Sequence, residues 1–182
     1  MLVSSVIISI IIGYIRGGKL RRFEDITIKL WYFISVAFLI QTIAMILPRI
    51  NVINFYVLHM LSYVIIMYVC FINRKIVAIT IMGLGTLLNM IVIGLNSGAM
   101  PVKVPDYIID PIFDRGHSLM TEATNVSILG DIFLLDFPFI GGVFSIGDVF
   151  LVVGAFMLIQ YVMTYTLETK SLSTTYIKNQ TE

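Results

Sequence analysis

Apolar residues run through this chain in long unbroken blocks, with none of the two-residue alternation of a barrel strand. Four blocks, 30–47, 55–72, 76–95 and 149–167, approach the roughly 20 residues that a helix needs to cross a ~30 Å hydrocarbon core. Each predicts a spanning helix, because a lone strand would leave its backbone N–H and C=O groups unpaired in lipid. A fifth block, 2–15, is only about 21 Å long at ~1.5 Å per residue. It spans if it tilts little and Arg16 and Lys19 snorkel, or if the bilayer thins locally. No basic residue precedes it and no small-x-small cleavage site follows, so it is expected to be retained. The expectation is an all-α polytopic membrane helix bundle of five spans, one membrane domain over 1–168, with a polar, mobile tail over 169–182.

The connections are short except for 96–144, which reads as a structured cap. It holds Asp106, Asp110, Asp114, Glu122, Asp131 and Asp136, six of the eleven acidic residues. Its apolar pieces YIIDPIF and ILGDIFLLDFPFIGG are too short to cross. Such pieces lie along the membrane interface or re-enter where protein shields their backbone.

Composition agrees with this reading: 58% of residues are hydrophobic and 13% charged, against roughly 45–50% and about 25% in soluble domains. A net charge of +1 gives no whole-chain attraction to nucleic acid. The distribution of cations is more informative. Arg16, Lys19, Arg21, Arg22, Lys29, Arg74, Lys75, Lys170 and Lys178 fall on one side of the spans; Arg49, Lys103 and Arg115 fall on the other. The positive-inside rule then puts the N-terminus outside, the cap outside and the C-terminus inside a bacterial cytoplasmic (inner) membrane. Cys70 is the only cysteine, so an intrachain disulfide and a zinc cluster are excluded, and it reads as a small packing residue.

Within the spans Gln41, His59, Asn89 and Gln160 are expensive in lipid and are expected to turn towards other helices. Asn89 and Asn96 lie two helical turns apart, on one face that rises towards the cap. Gly83, Gly85 and Gly94 beside them suit close helix packing, with a polar pathway as the alternative. In the cap, Asp106, Asp110 and Asp114 alternate with Ile108, Ile109, Ile112 and Phe113, which predicts a short amphipathic helix, split where Asp110 would cap and Pro111 begin a turn. The stripe lacks EF-hand spacing for calcium. His117 is a candidate base or ligand, although no second histidine or cysteine nearby completes a metal set.

Asp131 and Asp148 stand at the expected outer boundary of the bundle. Two carboxylates in contact can share one proton and activate water, an aspartyl-protease arrangement. Asp148 also has a plainer role, since Ser145-Ile-Gly-Asp148 has the spacing of a capping box directly before an apolar helix.

NSGAMPV, GHSLMTEATNVSILGDIF and FSIGDVFLVVG together resemble a family of small multi-pass bacterial membrane proteins of unknown function. Its members typically carry N-G-G-x-M-P-V, then G-H, L-G-D and S-I-G-D-V. The likeness covers 89–154, with Ser97 at the first glycine, and implies a multi-pass membrane protein without supplying an activity. FSIGDVFLVVG is also similar to the F-N-x-A-D-x-x-I that opens the last helix of lipoprotein signal peptidase, and LLDF to that family's V-V-D-F. This second likeness implies an aspartyl site at Asp131 and Asp148. Ser145 stands at that family's asparagine, and Ile132 follows Asp131 where the family has arginine.

The combined reading is a non-enzymatic membrane component that interacts with lipid, a small molecule, a partner membrane protein or a second copy of itself. Asn89, Asn96 and His117 are its candidate polar site, and no cofactor, metal or nucleic acid is expected. The alternative is a membrane-embedded aspartyl hydrolase or peptidase using Asp131 and Asp148. For the topology, Lys103→Cys is expected to react with an impermeant thiol reagent in intact cells and Lys178→Cys to react only after lysis; the reverse pattern overturns the orientation.

Overall fold

The computed structural model describes residues 2–46, 51–104, 114–135 and 142–181. Five helices form the bundle: α1 Leu2–Ile15, α2 Tyr32–Ile46, α3 Val52–Ile72, α4 Val77–Leu95 and α5 Ile146–Thr181. All five predicted blocks are therefore helical. By length and composition, three can cross a membrane: α3, α4 and Ile146–Thr164 of α5, with mean hydropathies of 2.1, 2.1 and 2.0. At 14 and 15 residues, α1 and α2 reach only about 21 and 22 Å. Their exterior is nonetheless apolar, with Val3 73% and Ile15 79% exposed, as is that of α3, where Ile53 is 72% exposed. Exposure of this kind suits lipid rather than water, so the chain is a membrane-embedded helical bundle.

α1 and α5 pack in parallel, with Ser9 beside Phe156 and Gly13 beside Met163, whereas α4 runs against both α3 and α5. Gly94 of α4 lies beside Met60 of α3, and Gly83 beside Cys70, which makes α3 and α4 antiparallel. Gly85 of α4 meets Gly147 and Phe150 of α5, while Gly154 of α5 meets Ala78 and Met82 of α4. These glycines bring the two backbones together, as small residues do where no hydrophobic effect drives helices into contact. Cys70 has the packing role expected of it. At the basic end Gly17, at φ +76°, ends α1 in the left-handed conformation typical of a helix C′ glycine. Arg16, though exposed, donates to Gln160 Oε1 at 2.9 Å, and Gln160 donates to Ser9 Oγ at 3.0 Å.

Two expectations change. The tail does not leave the helix after Leu167: α5 continues to Thr181, 36 residues or about 54 Å, well beyond any bilayer crossing. The cap also contains short strands. β1 Met100–Val102 pairs in parallel with β2 His117–Leu119, and β3 Phe133–Leu135 pairs antiparallel with β4 Gly142–Phe144. The described residues of the second apolar cap piece thus form a 3₁₀ turn, Ser127–Leu129, and a hairpin whose Phe133 and Phe144 rings stack at 5.5 Å. Pairing two strands satisfies the backbone locally, which an isolated interfacial segment would leave to water. The predicted amphipathic helix with Asp106, Asp110 and Pro111 lies outside the described residues, as does Asp136.

The α4–α5 contact generates a stability prediction. A Cβ on residue 85 would collide with the Gly147 carbonyl and with backbone and side chain of Phe150 and Leu151, whereas one on residue 94 meets only the flexible Met60 sulfur at 3.3 Å. Gly85→Ala is expected to cost about 1–3 kcal/mol of overpacking and Gly94→Ala clearly less, read from thermal unfolding of the detergent-solubilised protein.

Candidate functional site

The site is built on the first turn of α5. Ser145 Oγ accepts from the Asp148 amide at 3.1 Å, and Asp148 Oδ2 accepts from the Ser145 amide at 3.0 Å. This is the reciprocal pair that the Ser-x-x-Asp spacing predicts, and it satisfies two amides that a helix start would otherwise leave without partners. Asn89 of α4 then locks the cap from the side. Its Nδ2 donates to Asp148 Oδ1 at 2.9 Å, and its Oδ1 accepts from the Ser145 hydroxyl at 3.0 Å. Both Asp148 oxygens are therefore engaged. Gly147 is required beside them, because any Cβ there would strike the Asn89 side chain.

Asp131 reaches this point from the cap. Its amide donates to Pro101 O at 2.9 Å and its carbonyl accepts from the Lys103 amide at 2.8 Å, so it sits against one side of β1. The other side of β1 is held by β2, through Met100 N to Gly116 O at 2.7 Å and Met120 N to Val102 O at 2.9 Å. Asp131 is only 6% exposed, and its Oδ1 is buried with no hydrogen-bond partner among the described residues. Burial, joined by the negative charge of Asp148 and opposed by His117, pushes the Asp131 carboxyl up to about 7.

Two histidines complete the surroundings. His59 of α3 is fixed between the rings of Phe55 and Tyr63, at 5.3 and 5.4 Å, and its Nδ1 lies 2.8 Å from Gly98 O. A carbonyl only accepts, so Nδ1 carries the proton and Nε2 is the acceptor of the neutral ring. His117 donates from Nδ1 to Asp114 Oδ1 at 2.7 Å. Partial burial works against ionisation of Asp114, but the hydrogen bond and charge of His117 and the nearby amides outweigh it and hold that carboxyl below its usual range.

Asp131, Asp148, Asn89 and His117 line one cavity of about 220 Å³, together with His59 and Tyr63. Asn96 is not part of it. Its Nδ2 donates to Val92 O and Asn125 O, at 2.7 and 2.9 Å, and its Oδ1 accepts from the Asn125 amide at 3.0 Å. Asn96 thus pins the cap to the end of α4. Among the described residues no three His, Cys, Asp or Glu side chains are grouped to hold a metal. His59 and Tyr63 are the polar lining side chains that sequence reasoning did not assign to a site. Phe55, His59 and Tyr63 recur every four residues, a signal that puts them on one helix face but does not say that the face meets the cap.

Residues 25–160 match a family model described as Family of unknown function (DUF5317). No curated protein and no solved structure matches the chain.

The raised Asp131 carboxyl has a measurable sign. Folding lifts it from about 3.9 in the unfolded chain to about 7, so between those values the native state binds the proton more tightly. Stability from this group is complete below the unfolded value and is lost as pH rises through 7, at up to ~1.4 kcal/mol per pH unit. Asp131→Asn removes the titration. The variant is expected to gain stability relative to the native protein between pH 4 and pH 7, measured by chemical denaturation in detergent; parallel pH profiles would refute the burial argument.

Proposed function

The chain belongs to that family of unknown function, which supplies no activity, and we propose that it binds a small polar ligand in the cavity beneath its cap, without chemistry. The observation that carries this reading is Asp131, which lines the cavity and whose buried Oδ1 has no hydrogen-bond partner among the described residues. Leaving such an atom unsatisfied costs about 1–3 kcal/mol or more, which a hydrogen-bond donor from a ligand offsets. His59, His117 and Asn89 supply further polar groups around it. In our reading the protein is a multi-pass component of a bacterial cytoplasmic membrane with five crossings, the cap outside and the C-terminus inside. The antiparallel packing of α4 against α3 and α5, and the nine-to-three split of basic residues, support that topology.

Aspartyl hydrolysis is the second reading, favoured by the two aspartates on one cavity and by the contribution of Asp148 to the raised Asp131 carboxyl. Against it stands the engagement of Asp148, whose two carboxylate oxygens each accept a hydrogen bond, from Asn89 and from the Ser145 amide, as a helix cap does.

Native mass spectrometry of the full-length protein, released gently from its own membrane, tests the choice. A retained small-molecule mass is expected on the native protein and is expected to be absent from Asp131→Asn. Absence of any retained mass, combined with hydrolytic activity that both Asp131→Asn and Asp148→Asn abolish while remaining folded, would replace binding by aspartyl chemistry.

A further inference from the structure

Below the polar cavity lies a second one of about 210 Å³ with an almost wholly apolar lining. All five helices contribute to it: Leu2 of α1, Phe38 of α2, Ile66 of α3, Met82 of α4 and Leu158 of α5. Tyr63 lines both cavities. A groove on the α5 side shares Asp148 with the polar cavity and Leu2 and Leu151 with the apolar one. Apolar cavities of this size stay dry and take apolar guests, as engineered ones of ~150 Å³ do.

We propose that the ligand is a single-chain amphiphile drawn from the surrounding leaflet, with an amine head against Asp131 and its hydrocarbon chain passing Tyr63 into the apolar cavity. This rests on the binding reading above and names its ligand class. Three observations converge on it. Asp131 Oδ1, without a partner among the described residues, belongs to a residue only 6% exposed that lines the cavity, and an ammonium donates without needing to accept. The described lining of the polar cavity contains two carboxylates and no lysine or arginine, so its charge complements a cation and opposes a carboxylate or phosphate head. The shared Tyr63 wall puts an apolar compartment directly beside the head site, where a short polar molecule would have no use for it.

The test uses the full-length protein in lipid nanodiscs and a photoreactive diazirine analogue of hexadecylamine, with crosslinks mapped by mass spectrometry. Labelling is expected on α3, α4 or α5 residues of the apolar cavity and is expected to fall about tenfold in Asp131→Asn. Unlabelled hexadecylamine is expected to compete, and hexadecanoate and hexadecanol at equal mole fraction to compete far less. Ile66→Trp, which fills the chain compartment, is expected to abolish the advantage of hexadecylamine over butylamine while leaving competition by butylamine intact. Equal competition by hexadecanoate or hexadecanol overturns the amine head. Equal competition by butylamine and hexadecylamine on the native protein overturns the chain but leaves a small-ligand site standing. No protection of the polar cavity by any probe, with no retained mass on the native protein, overturns both.

Discussion

The arrangement depends on the crossing of α4 and α5 at Gly85 and Gly147, where two backbones come close enough for one side chain to serve both helices. Inside a bilayer no water is present to satisfy the first amides of a helix or a buried asparagine. Asn89, Ser145 and Asp148 solve these problems together: each hydrogen-bonds the other two, and the amides of Ser145 and Asp148 are used in the process. Single interhelical hydrogen bonds in membranes average only about 0.6 kcal/mol. The importance of the set lies in position, because it fixes the start of α5 and with it the floor of the polar cavity.

The same set creates an asymmetry between the two aspartates. Asp148 has a donor on each oxygen and stands at the positive end of a helix dipole. Asp131 is buried where Asp148 is half-buried, it lacks that support on Oδ1, and the neighbouring negative charge adds to the cost of ionising it. When two carboxylates compete for one proton, the poorly solvated one takes it. The cap therefore presents a group that is poised to donate or accept near neutral pH, while the bundle presents one that is already committed. That difference favours recognition over a symmetrical acid–base pair.

Local patterns in the sequence carried much of this. Apolar blocks marked all five helices, Ser145 and Asp148 marked the start of α5, and Gly83 and Gly85 marked the close packing of α4, against α3 and α5 respectively, because each signal lies within a few residues of chain. The site itself depends on contacts between distant segments. Nothing near His59 announces that Gly98 O will orient it, and Asp131 meets the bundle only because β1 is gripped on one side by β2 and on the other by Asp131's own backbone. The strands of three residues are too short to show a period. Asn96 misled for a related reason: helical phase puts it in line with Asn89, but the helix ends there, and its side chain closes the α4 terminus against Asn125.

The shortness of α1 also finds its explanation in the cap. Its 14 residues reach about 10 Å less than the 21 of α3, a mismatch that exposed polar backbone could not bridge in lipid. Leu2, at the start of α1, shares a groove with Gly142, Val143 and Phe144 of β4. The hairpin above it is apolar and outward-facing, with Phe133 42% and Leu134 50% exposed. Paired strands satisfy their own backbone while offering hydrocarbon side chains, so the hairpin extends the apolar surface over the end of the short helix. A polar loop in its place would thin the bilayer at α1 and admit water to the groove that joins Asp148 to Leu151.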